Sequence, residues 1–279
     1  MKTFADRVAV VTGAGSGLGR ALALRFARER MHLVLADVDE AGLAATGALL
    51  EAAGARWIAR RTDVSDGAQV EALARAAQDA FGALHVVCNN AGVAPLGTVW
   101  ENTENDWRWT LGVNLWGVIH GVRVFTPLML AHGDEAHIVN TASVAGLISP
   151  PGMGIYNVSK HAVVALTETL HHDLAARGAR VRCSVLCPAF FPSGIADSQR
   201  ARPAELASAA PASPEDAARE AGFRKAVESG RLTAADVADA AFEAIREERF
   251  YVLTHPRILP AVERRMQDIL TGGTPRSPV

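Results

Sequence analysis

The chain has 279 residues, 49% apolar and 21% charged, with a formal net charge of −2. A chain of this size and composition buries roughly three quarters of its unfolded surface, which excludes disorder over most of its length. The slightly acidic balance without a long basic run argues against a nucleic-acid partner. So does the longest uncharged stretch against a membrane span, since residues 84–100 are broken by Asn89, Asn90, Gly92 and Pro95.

Short apolar runs alternate with amphipathic stretches along the chain. A first strand at 8–11 runs into a glycine cluster and a helix over 18–30. A second strand at 33–36 ends at Asp37, followed by a helix over 40–53. A third strand at 56–61 precedes a helix over 70–81, and a fourth strand lies at 84–88. A long helix is expected over 113–131, then a fifth strand at 137–140, a helix over 156–176 and a sixth strand at 181–186. Residues 188–230 are rich in Ala, Pro and Ser, and Pro203, Pro211 and Pro214 forbid one continuous helix there; a substrate lid is expected. A helix ending at Glu248 starts near Thr233-Ala-Ala-Asp236, then come a strand at 250–254, a helix over 256–270 and a flexible tail at 271–279. Apolar strands separated by helices indicate a parallel sheet covered on both faces. The expected architecture is α/β, one doubly wound domain over residues 1–270.

The opening residues 1–7 lack an apolar signal region, and Cys88, Cys183 and Cys187 lack disulfide or zinc spacing. Free thiols, a cytoplasmic location and no metal site are the expectation.

The first strand leads into Thr12-Gly13-Ala14-Gly15-Ser16-Gly17-Leu18-Gly19. Glycines let the chain turn sharply and let a pyrophosphate approach the backbone, with the next helix directing its N-terminal amides at it. The cluster sits at the first strand–turn–helix of a parallel pattern, the context in which such a loop binds a dinucleotide. Asp37, 18 residues past Gly19, stands where an acid accepts hydrogen bonds from the adenosine ribose. A carboxylate there repels a 2′-phosphate, so NAD is favoured over NADP. Asp63-Val64 is either a contact for the adenine edge or a helix cap.

Tyr156 and Lys160 stand four residues apart on one helix, hence on one face. A neighbouring ammonium lowers a phenol's pKa and makes it a usable general acid or base. With two tyrosines and three lysines in the chain, about 0.02 such pairs are expected by chance. Ser143 follows the fifth strand, at the carboxyl edge of the sheet where ligands bind, and can donate to a substrate oxygen.

With these residues in place, the chain resembles the short-chain dehydrogenase/reductase family over roughly residues 4–255. Thr12 to Gly19 resembles that family's TGxxxGxG, Asn89-Asn90-Ala91-Gly92 its NNAG segment, and Asn114, Ser143, Tyr156 and Lys160 its catalytic tetrad. The resemblance implies that Tyr156 exchanges a proton with the substrate oxygen and that Ser143 orients this oxygen. It implies that Lys160 binds the nicotinamide ribose and lowers the Tyr156 pKa, while Asn114 holds a water on the proton path. It further implies cofactor contacts from Asn90, Ala91, Gly92, Pro188 and Ser193, a seven-stranded parallel sheet, and a homotetramer or homodimer. One departure is Ala189, where the family has glycine after the proline; Ser193 keeps a hydroxyl at the place of a threonine. Phe250 to Pro256, with Ser193-Gly194-Ile195 and Arg202-Pro203, resembles a subgroup that includes bacterial dehydrogenases of benzylic alcohols in lignin-derived aryl ethers.

Leu147, Ile148, Met153, Ile155, Phe190 and Phe191 are expected to wall the substrate pocket or to pack in the core. Apolar walls suit a hydrophobic secondary alcohol or its ketone. No lysine or arginine lies in the two nearest segments, 93–96 and 144–155; Arg200 and Arg202 can swing in from the lid. The expected activity is an NAD-dependent interconversion of such an alcohol and ketone, in the oxidative direction. The alternatives are a C=C reductase, dehydratase or epimerase on the same fold, or a non-catalytic NAD-binding protein.

Overall fold

A computed structural model of the protein describes residues 1–207 and 213–278; Pro211 lies outside the described residues. Seven strands form one sheet: β1 (Val8–Thr12), β2 (His32–Asp37), β3 (Trp57–Arg61), β4 (Val86–Asn89), β5 (Ala136–Thr141), β6 (Val181–Leu186) and β7 (Tyr251–Val252). Their order is β3-β2-β1-β4-β5-β6-β7, with every neighbouring pair parallel. The expected seven-stranded doubly wound sheet is present. The strand order reverses between β1 and β4, and this opens a crevice at their carboxyl ends.

The strands are apolar on both faces because both are covered. Ala9, Val11, Leu33 and Leu35 face one core with Leu22 and Phe26 of α1 (Gly17–Arg28) and Phe242 and Ile245 of α8 (Ala234–Glu247). Val8, Val10 and Val34 face the other. There they meet Leu73 of α3 (Gly67–Phe81), Phe125 and Met129 of α5 (Gly117–His132), and Leu174 of α6 (Gly154–Ala176). The side-chain period of two along each strand divides its residues between the two cores. The remaining helices are α2 (Glu40–Ala52), α4 (Glu104–Leu111), α7 (Pro214–Glu228) and α9 (Leu259–Leu270).

Three elements differ from expectation. The helix expected over 113–131 starts at Glu104, where Thr103 and Asp106 form a capping box. A five-residue π turn at Gly112–Trp116 joins α4 to α5. The resulting helix, Glu104–His132, is long and apolar enough by length and composition to cross a membrane. Its inner face lies in the core, with Phe125 and Met129 fully buried.

The second difference is in residues 188–230, which carry 3₁₀ turns at Gly194–Ala201 and Ala204–Leu206 and then α7. Pro214 does not break this helix; it occupies the first turn, where its missing N–H is harmless, behind a Ser213–Asp216 capping box. Pro203 likewise precedes a 3₁₀ turn. Third, the last strand is shorter than 250–254, with only Tyr251 and Val252 pairing with β6. Beyond α9 the chain turns back, so that Arg276 pairs with Asp268 and Pro278 reaches the wall of the crevice.

Candidate active site

The crevice begins where β1 ends. The Thr12 hydroxyl accepts from the amides of Asn90 (2.9 Å) and Ala91 (3.1 Å), tying the loop after β1 to the loop after β4. The Asn90 side chain returns a bond to the Thr12 carbonyl at 3.0 Å and accepts from Thr141 at the end of β5. Gly13 has φ +68°, and a Cβ on it would lie 2.9 Å from Ala91 Cα. A Cβ on Gly19 would lie 2.0 Å from the Gly13 carbonyl. The glycines therefore permit a close doubling of the chain that leaves the first amides of α1 facing the crevice.

At the far end, Asp37 closes β2. One carboxylate oxygen accepts from Gly15 N–H at 2.8 Å and the other from Asp39 N–H at 3.0 Å. Asp66, not Asp63, caps α3. Asp63 binds Ser65 instead and lines the cavity with Val64.

One cavity of about 620 Å³ brings together Gly13, Ser16–Gly19, Asp37, Asp63, Val64, Asn90–Gly92, Pro188 and Ser193 with Ser143, Tyr156 and Lys160. Ser143 follows β5 and caps a short 3₁₀ turn: its hydroxyl accepts from Ala145 N–H at 3.1 Å and donates to the Pro188 carbonyl at 3.3 Å. Tyr156 and Lys160 lie on the first two turns of α6. Lys160 is buried; its Nζ donates to the Thr141 carbonyl at 2.8 Å and lies 5.6 Å from the centre of the Tyr156 ring.

Burial pushes the Tyr156 phenol up to about 12, offset in part by the Ser143 hydroxyl beside it. Burial also brings Lys160 down to about 8. Desolvation dominates both shifts, and the Lys160 ammonium is bonded to the Thr141 carbonyl.

Asn114 stands apart from the cavity wall. It is fully buried in the π turn, where its carbonyl oxygen accepts from Val93 N–H at 2.8 Å. Its amide donates to the Val93 carbonyl at 2.9 Å and to Ser159 Oγ at 3.1 Å. It lies behind Gly92, whose added Cβ would meet Asn114 at 3.4 Å and Lys160 Nζ at 3.6 Å.

The substrate end is apolar. Ile148, Met153, Phe190 and Phe191 line it as expected. Leu147 and Ile155 do not: Ile155 is buried in the interior, and Leu147 packs with Val163 and Val164. Sequence reading missed Phe223 and Val227 of α7, which complete this wall. Phe223 meets Phe190 edge to face, with ring centres 5.7 Å apart. The Ser213-to-Asp216 capping pattern was the signal for this helix. Of the two lid arginines, Arg200 lines the cavity, whereas Arg202 is held in a 2.6 Å ion pair with Asp106, over the Trp109 ring. Ala189 takes no left-handed backbone and donates its N–H to His255 Nδ1 at 3.1 Å, so the missing glycine leaves the loop intact.

These residues fit a dinucleotide. The loop leaves room where a Cβ would intrude, the first residues of α1 line the crevice, and an acid stands at the far end of β2. Comparison with known proteins agrees. The family model for short chain dehydrogenases matches residues 7–204. A short chain dehydrogenase/reductase from Burkholderia phymatum, solved in complex with NAD, superposes with a TM-score of 0.98 at 58% identity, covering 100% of this chain and 99% of that one. A CLA biosynthesis dehydrogenase/reductase of Lactiplantibacillus plantarum is 34% identical over 99% of this chain and 97% of its own length. A 1-deoxy-11-beta-hydroxypentalenate dehydrogenase of Streptomyces exfoliatus is 40% identical over 89% of this chain and 83% of its own. The family model, the whole-length likeness and the residues around the crevice agree that this chain belongs to the short-chain dehydrogenase family.

Proposed function

We propose that the protein is an NAD-dependent oxidoreductase that interconverts a hydrophobic secondary alcohol and its ketone. The observation that carries this reading is the meeting of the Tyr156 phenol, the Ser143 hydroxyl and Lys160 Nζ on one cavity, with apolar walls at one end and Asp37 at the other. Bound NAD supplies the hydride acceptor. Ser143 orients the substrate oxygen, and Tyr156 takes its proton in oxidation and returns it in reduction. Lys160, held by Thr141, carries the charge that the proton path and the ribose hydroxyls need. Asn114 is a positioning residue that fixes the loop after β4 against α6. Asp37 accepts from the ribose hydroxyls and disfavours a 2′-phosphate.

The Burkholderia phymatum protein's complex with NAD supports the cofactor, and the hydroxyl named in the Streptomyces exfoliatus relative supports an alcohol substrate. The complete set of Ser143, Tyr156 and Lys160 favours this reading over a C=C reductase, a dehydratase, an epimerase or a non-catalytic NAD-binding protein. A cytoplasmic location fits three buried free cysteines. A homotetramer or homodimer fits the exposed Trp116 and Val158 on the outer faces of neighbouring helices. The test is NADH formation across aliphatic, alicyclic, benzylic and steroidal secondary alcohols, with NADP as the control. Turnover of one apolar class with NAD is expected. Equal rates with NADP, or turnover of polar alcohols only, would contradict the reading.

A further inference from the structure

The 3₁₀ segment Gly194–Ala201 lies on the glycine loop: a Cβ on Gly17 would stand 3.5 Å from Ser193 Cβ. From this segment Arg200 reaches back across the crevice. Its Nη1 donates to the carbonyls of Gly194 and Asp197, both at 3.1 Å, and its Nη2 lies 3.4 Å from Ser16 Oγ.

Among the described residues, no carboxylate pairs with Arg200. Asp197 is taken by Arg224 at 2.7 Å, and Asp106 is taken by Arg202 at 2.6 Å. Ser16 is the N-cap residue of α1, yet its side chain caps no amide there. A guanidinium is therefore held by three oxygens beside the N-terminus of α1, with no carboxylate paired to it among the described residues. This arrangement becomes favourable when an anionic group enters between Arg200 and the loop, since a guanidinium binds phosphate oxygens with strong, directed hydrogen bonds.

We propose that Arg200 is a lid-borne ligand of the cofactor's diphosphate, an assignment that rests on the NAD reading above. Ile195 on this segment and Phe190 and Phe191 just before it line the same cavity, so a cofactor that holds Arg200 also steadies that wall. Arg202, buried on Asp106, is the fixed anchor of this segment. Arg200 is the part that answers to the cofactor.

The test measures dissociation constants of NADH, ADP-ribose, NADPH and adenosine for the full chain and for Arg200→Ala and Arg200→Lys. Arg200→Ala should weaken NADH and ADP-ribose about tenfold at low salt, with adenosine within about twofold. Arg200→Lys should recover part of the loss. Unchanged ADP-ribose binding, an equal loss for adenosine, or a loss confined to NADPH would overturn the assignment. Wild-type protein that binds neither NADH nor ADP-ribose would instead overturn the NAD reading itself. An unchanged unfolding temperature of the unliganded Arg200→Ala variant separates the effect from misfolding.

Discussion

At the scale of single residues, the proposed reaction turns on a phenol that burial raises to about 12 and an ammonium that burial lowers to about 8. Oxidation requires Tyr156 to accept a proton, so its rate should rise with pH between 7 and 10 as the phenolate fraction grows. Reduction requires the phenol, which stays protonated over the same range, so its rate should hold level there. A flat pH profile for oxidation, with hydride transfer shown to limit the rate, would remove Tyr156 as the base. Asp37→Ala should weaken NAD about tenfold and leave NADP nearly unchanged, since it removes both the ribose acceptor and the repulsion of a 2′-phosphate. Equal losses in titrations of both cofactors would contradict that role.

The residues most legible in the sequence were those set by local spacing. Tyr156 and Lys160 are one helical turn apart, and Gly13 to Gly19 is a continuous loop. Arg200 was legible only as a charge on a lid, because its contact with Ser16 spans 184 positions. The Lys160–Thr141 bond was hidden for the same reason, and with it the burial that governs both pKa values.

At the scale of elements, α7 is the part that sequence reading lost. Pro214 and an Ala-rich composition suggested loop, while the cap that makes proline compatible with a helix start was overlooked. Asp216 accepts from the Ser213 amide and hydroxyl and from Arg219. Asp216→Ala should loosen the first turn of α7 by removing its capping box. It should raise the rate of limited proteolysis within residues 188–230 and raise KM through Phe223 with little change in kcat. Unchanged proteolysis and KM would show that α7 does not shape the substrate end. The long helix of α4 and α5 was placed too short because its first turns are polar, but its packing was foreseeable. A Cβ on Gly121 would fall 2.0 Å from the Asn89 side chain, so Gly121→Ala should lower stability by about 1–3 kcal/mol in denaturant titration. A neutral result would mean that β4 and α5 can separate.

At the scale of the whole molecule, the parallel sheet and its two covered faces were readable from strand composition, because apolar runs between helices admit few alternatives. The interior also holds a titrating group. His137 on β5 is fully buried, with Nε2 on Ser184 Oγ at 2.7 Å, and burial lowers it to about 3. The unfolded chain takes up this proton near pH 6.5, so stability is full above that value and falls as pH drops toward 3. The loss from this group is about 2 kcal/mol at pH 5. His85, lowered to about 4, acts in the same direction. His137→Gln should flatten the fall of unfolding temperature between pH 7 and pH 5; an unchanged slope would place the acid sensitivity elsewhere. The central claim joins a dinucleotide crevice to one proton-transferring phenol, and its most direct measurement is alcohol-dependent NADH formation by Tyr156→Phe beside the wild type, with NADH affinity determined on both. In the variant kcat should fall about 10²- to 10⁴-fold with affinity retained within about twofold; turnover that survives the substitution would remove Tyr156 from the proton transfer.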